Sequence, residues 1–172
     1  MNERERLKKI IIDLSYEKRK VTLASGRESD FYFDGKQTTL HPEGGYLTGK
    51  LFFAAIADVA DIEGVGGLTL GADPIATATA VVSFLEGRPI PAFIIRKEPK
   101  GHGTGAWLEG RKNLRPGARV VIVEDVVTTG GSSMKAVRRA EEEGLKVLGV
   151  VTLVDREEVV RENFEKEAYW LK

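Results

Sequence analysis

Residues 120–133 read Val-Val-Ile-Val-Glu-Asp-Val-Val-Thr-Thr-Gly-Gly-Ser-Ser, and their order decides the fold. Four β-branched apolar residues, Val120, Val121, Ile122 and Val123, predict a buried strand ending in two carboxylates, Glu124 and Asp125. Thr128, Thr129, Gly130, Gly131, Ser132 and Ser133 follow, and a helical pattern sets in near Met134. Adjacent carboxylates at a strand end can accept hydrogen bonds from vicinal hydroxyls, as on a ribose. A glycine- and hydroxyl-rich loop at a helix N-terminus suits a phosphate. The order fits a ligand hydroxylated at one end and phosphorylated at the other. The loop lacks the Gly-Lys-Ser/Thr of a nucleotide-binding P-loop, and its glycines are wrongly spaced for a dinucleotide fingerprint. A plain strand-loop-helix turn would not need Glu-Asp directly after a buried strand.

Outward from this stretch, apolar strands alternate with helices. Helices are expected over residues 3–17, 42–60, 73–85, 132–143 and 157–167. Strands are expected over 21–23, 31–33, 65–70, 90–95, 120–123 and 146–154, with a last one through Tyr169 and Trp170. Asp73-Pro74 reads as an N-cap with proline at the first helical position. Residues 97–113 read as a long loop without periodicity. The expected fold class is α/β: a central, mostly parallel sheet with helices on both faces. In such sheets ligands sit beyond the carboxyl ends of the strands. Gly71 to Asp73, Arg96 and Lys97, Glu124 onward, and Asp155 with Arg156 all fall there.

The chain has 172 residues, the length of one ordinary domain. Its 26 basic residues equal its 26 acidic ones, which argues against a general nucleic-acid coat. It has no cysteine, so disulfides, thiolate metal sites and cysteine nucleophiles are excluded. No secretory apolar core follows the charged N-terminus and no apolar run reaches the roughly 18 residues of a membrane span. A cytoplasmic protein without membrane or nucleic-acid partners is expected.

Residues 120–133 resemble the phosphoribosyl-diphosphate (PRPP) signature of the type I phosphoribosyltransferases. The resemblance implies that fold, with a small N-terminal hood. It also implies that Glu124 and Asp125 hold the ribose hydroxyls, while Val126, Val127, Thr128, Thr129, Gly130, Gly131 and Ser132 hold the 5′-phosphate end. One domain over 1–172 is expected, with the hood at about 1–40 plus the tail and the core at about 41–155.

A second cluster, Arg96-Lys97-Glu98-Pro99-Lys100-Gly101-His102-Gly103-Thr104-Gly105, is basic and glycine-rich. It reads as a solvated loop or as a lid that closes on an anion. Followed by Leu108-Glu109-Gly110, it resembles the catalytic loop of the orotate phosphoribosyltransferases. There the loop reaches the neighbouring subunit's site, so a homodimer with residues 97–112 acting in trans is implied. Lys100 and His102 would act in catalysis with Asp125, and Arg96 and Lys97 would contact PRPP.

Ser25-Gly26-Arg27-Glu28-Ser29, followed by aromatics, resembles a segment of the orotate pocket, which implicates Tyr32 and Phe33 together with Thr128. Taken alone it is a turn with core aromatics. Arg156 is either a surface residue at a helix start or a guanidinium for the orotate carboxylate, and the resemblance assigns it the second role. Mg²⁺ is implied as a cofactor carried by PRPP, with no direct protein ligand and Asp125 at most a contact through water. Two departures stand out: Ala24 and the Gly71-Ala72-Asp73-Pro74 turn lack lysines that many members carry. Two other readings remain: transfer to another base, and a PRPP-sensing regulator that binds nucleic acid.

Overall fold

The computed structural model describes residues 1–22, 26, 28–99, 106–156 and 160–172. Helix α1 (Glu3–Leu14) opens with a capping box in which Asn2 accepts from the Glu5 N–H and Glu5 reaches back to the Asn2 N–H. It ends before residue 17 because Tyr16 and Glu17 are drawn into a strand, β1 (Tyr16–Glu17). Strands β2 (Val21–Thr22), β3 (Glu28–Ser29) and β4 (Tyr32–Phe33) follow. The expected strands do not pair with each other: β1 pairs antiparallel with β4, and β2 with β3. The N-terminal segment is thus two nested ribbons outside the main sheet.

The short helix α2 (Lys36–Thr39) leads into α3 (Pro42–Ala55), with Pro42 in the first turn as expected. The main sheet contains β5 (Gly64–Leu68), β6 (Ala92–Ile95), β7 (Leu108–Glu109), β8 (Arg119–Val127), β9 (Lys146–Asp155) and β10 (Trp170–Leu171). Its order is β10-β9-β8-β5-β6-β7, parallel except for β7. Helices α4 (Ala72–Leu85), α5 (Gly131–Glu142) and α6 (Val160–Lys166) complete the chain.

Alternation along β8 builds a core on each face of the sheet. Val120 and Ile122 pack with Ala136, Val137 and Ala140 of α5 and with Phe164 of α6. Val121 and Val123 pack with Phe52 within α3 and Ile56 just beyond it, and with Ile75 and Ala76 of α4. This is the doubly covered sheet expected from its continuous apolar strands.

Three local expectations change. Strand β8 does not stop before the acids; it runs through them to Val127, because β9 continues beside it with Glu124 opposite Thr152 and Val127 opposite Asp155. Asp73 is not the N-cap of α4. The cap is Gly71, and the Asp73 carboxylate instead accepts from the Thr69 hydroxyl at 2.7 Å. Pro74 therefore sits inside the first turn, where its missing N–H costs no helical bond. Finally, residues 97–113 are not all loop: buried Leu108 brings β7 onto β6, and Arg111–Asn113 form a 3₁₀ turn.

Candidate active site

The tip of β8 carries both acids, and each is nearly sealed from solvent, with 6% of Glu124 and 8% of Asp125 exposed. They are held from opposite faces of the sheet. On the α5 face, Ser133 donates its hydroxyl to Glu124 Oε2 at 3.2 Å. On the α4 face, Gly35 and Gly71 close on Asp125. A Cβ at Gly35 would stand 2.9 Å from Asp125 Cβ, and one at Gly71 would stand 2.5 Å from Asp125 Oδ1. No side chain larger than hydrogen fits at Gly71 without displacing the carboxylate. Asp125 Oδ1 also accepts from the Val126 N–H at 2.9 Å.

Burial pushes the Glu124 carboxyl up to about 8; the charge and side-chain hydrogen bond of Asp125 add to the rise, and the Ser133 hydroxyl and the Asp125 backbone oppose it. Acids perturbed in this way cluster at functional sites.

Beyond the acids, Val126 is half-buried and Val127 is core, so Val127 can offer a ligand its backbone but not its side chain. Residues 128–130 form the bend, with Thr128 half-buried and Thr129 exposed. Gly130 then adopts φ 81° as the N-cap of α5, a left-handed conformation that suits glycine, and no side chain caps the helix. The first N–H groups of α5 are thus left for an external acceptor, beside exposed Gly131 and Ser132.

Arg156 follows the end of β9 and joins it to the N-terminal segment. Its Nη2 donates to Ser29 Oγ at 2.9 Å, and its guanidinium lies 4.2 Å from the centroid of the Phe31 ring. Tyr32 and Phe33 are placed differently: Tyr32 is partly exposed with Arg19 stacked 4.4 Å from its ring centroid, and Phe33 pairs with Tyr16. Ser29 and Phe31 are the residues that meet Arg156, and sequence reading missed them. Ser29 lay within the quoted segment, but no local pattern announces a partner so far along the chain. Gly35 and Ser133 were missed as well. Ser133's position at the head of α5 was a usable signal; Gly35 had none.

Arg96 is paired with Glu109 at 2.9 Å, and its N–H donates to the carbonyl of Trp107. Lys97 lines a cleft of about 630 Å³ with Arg96, Trp107, Ser132 and Lys135, so the start of the basic segment adjoins the first turn of α5. Lys100 and His102 lie outside the described residues. Among the described residues no group of three or more His, Asp or Glu could hold a metal alone.

Comparison with known proteins agrees with this geometry. Residues 66–168 match the family model described as phosphoribosyl transferase domain. The chain is 49% identical over 155 residues to orotate phosphoribosyltransferase of Sorangium cellulosum, covering 90% of this chain and 81% of that one. It is 49% identical over 170 residues to the enzyme of the same name from Aquifex aeolicus, covering 97% and 91%. The crystal structure of Mycobacterium tuberculosis orotate phosphoribosyltransferase in complex with PRPP superposes with a TM-score of 0.80, at 40% identity over 99% of this chain and 93% of that one. The chain belongs to the phosphoribosyltransferase family and, within it, to the orotate phosphoribosyltransferases.

Proposed function

We propose how this orotate phosphoribosyltransferase divides the transfer of phosphoribosyl from PRPP to N1 of orotate among its residues. The observation that carries the reading is the pair Glu124 and Asp125, held at the tip of β8 beside the uncapped start of α5. Glu124 and Asp125 take the ribose hydroxyls. The backbone of Val126 to Gly131, with the hydroxyls of Thr128, Thr129 and Ser132, takes the 5′-phosphate. Arg156 takes the orotate carboxylate, with Phe31 as an apolar wall and Thr128 near the base. Displacement at the anomeric carbon develops positive charge on the sugar while diphosphate leaves as a polyanion, so placed cations are the main lever. Arg96, Lys97, Lys100 and His102 would supply them.

Mg²⁺ would arrive with PRPP and offset charge on its oxygens. The hard carboxylate oxygens of this site suit it, with Asp125 reaching it at most through water. No covalent nucleophile is needed.

A homodimer is part of the proposal. Val81, Phe84 and Leu85, in the last turns of α4, are all more than half exposed. Such an apolar surface suits a second copy. Leu108 and Glu109 are tied to β6 and Trp107 accepts from Arg96, so the trans role narrows to the part of 97–112 before Trp107. A cytoplasmic setting suits the cysteine-free chain.

The test is loss of orotate absorbance with PRPP and Mg²⁺, repeated with uracil, adenine and hypoxanthine. Orotate turnover alone is expected; equal turnover of another base would overturn the assignment of Arg156 to base selection.

A further inference from the structure

A cleft of about 580 Å³ opens where α2, the start of α3 and the turn into α4 meet, lined by Lys36, Thr39, His41, Leu70, Asp73 and Pro74. It lies next to the glycines that pack on Asp125. Gly35 and Gly71, the two glycines packed on Asp125, immediately precede Lys36 and follow Leu70 in the chain. Its walls are not saturated by their own contacts. Thr39 Oγ1 and Asp73 Oδ1 are two of the three buried side-chain polar atoms that lack a partner among the described residues.

Lys36 is the one lysine or arginine among the described residues that line it. Its Nζ pairs with Asp34 Oδ1 at 2.6 Å, and its side chain remains 40% exposed. Asp34 is fixed in turn by the Lys36 N–H and by Gln37 Nε2. The hydrogen bond that the ammonium donates to Asp34 is its main support in the protonated form; burial opposes it, and the charges of Asp34 and then Asp125 reinforce it. Lys36 therefore lies within the field of the acid that meets the ribose.

We propose that Lys36 binds the diphosphate of PRPP from the α2 side of Asp125. The inference rests on the phosphoribosyl-transfer reading. In PRPP the diphosphate is carried on the carbon next to the 2-hydroxyl, so an acid that grips that hydroxyl has the leaving group beside it. The other wall of the cleft adds a negative charge, Asp73, at the start of α4. Neither Ala24 nor the Gly71–Pro74 turn holds a cation. An ammonium has three donors, so Lys36 can keep Asp34 and still give two hydrogen bonds to phosphate oxygens. Asp34 would keep the ammonium placed before the ligand arrives.

The experiment compares wild type, Lys36→Gln and Lys36→Arg. It reads KM for PRPP and for orotate, product inhibition by diphosphate, and thermal midpoint. Loss of charge-assisted hydrogen bonds should raise KM for PRPP and the diphosphate inhibition constant on the order of 10- to 100-fold in Lys36→Gln. KM for orotate should stay within about 2-fold, and Lys36→Arg should recover much of the loss, because these bonds need positive charge. Unchanged diphosphate inhibition in Lys36→Gln would overturn the proposal. So would equal rises in both KM values together with a lowered midpoint, which is the mark of a structural role. If the wild type transferred phosphoribosyl to no base, the functional reading would fall instead. Calorimetry of diphosphate with Mg²⁺ on wild type and Lys36→Gln would then still test Lys36, with equal affinity counting against it.

Discussion

Among the described residues, Glu124 is the one whose acidity the fold shifts most. A carboxyl raised from its ordinary 4.5 to about 8 favours the folded protein while it is protonated. That contribution is full below about 4.5 and is lost as pH climbs through about 8, so the ligand-free protein should lose stability across the interval. A ribose hydroxyl needs an acceptor, and the ionised carboxylate is the better one. Binding PRPP near pH 7 should therefore expel a proton from Glu124. Calorimetry in two buffers of different ionisation enthalpy should give different binding heats for wild type. The difference should shrink in Glu124→Gln, whose amide releases none, and an equal difference in both would refute a protonated Glu124. The acid pair was legible in the sequence because two carboxylates after an apolar strand are conspicuous. Its sharing between two layers was not, since Ser133 and Gly35 reach the acids from elements whose packing no local pattern reports.

At the scale of elements, the turn from β5 into α4 is set by its contact with β8. Gly71 must lack a side chain because Asp125 Oδ1 occupies the place of its Cβ. Gly71→Ala should push the Asp125 carboxylate aside or unseat the start of α4. The expected result is a rise in KM for PRPP well above that for orotate, at a cost in stability of about 1–3 kcal/mol from overpacking. Wild-type kinetics for this variant would mean that the turn shifts freely and does not position Asp125. The alternating strands and helices were readable from hydrophobic period. The ends were less so: β8 outran its apolar run because β9 continued beside it, and β7 was masked by surrounding glycines and charges. The N-cap of α4 was misplaced because Asp73 looks like a cap but bonds to Thr69.

For the whole molecule, the sequence showed the layered architecture well and the placement of the N-terminal ribbons poorly, since their pairing is nested and their strands are two residues long. The basic segment raises the question of which subunit each site borrows from. Mixing Lys100→Ala chains with Asp125→Asn chains should restore partial orotate turnover if the segment acts in trans. A mixed dimer then holds one site that receives intact Lys100 from one chain and intact Asp125 from the other. No rescue in verified mixed dimers would place the action within one subunit.

The division of the acid pair between the two faces of the sheet has one more consequence. Glu124 answers to α5, and Asp125 to α2 and the head of α4. A sugar bound to both carboxylates would be a strut between the layers on the two sides of the sheet. Any relative shift of those layers would change the gap the sugar must span. Substrate would then lock the distance, so the precision needed at the anomeric carbon would be completed by the molecule being cut.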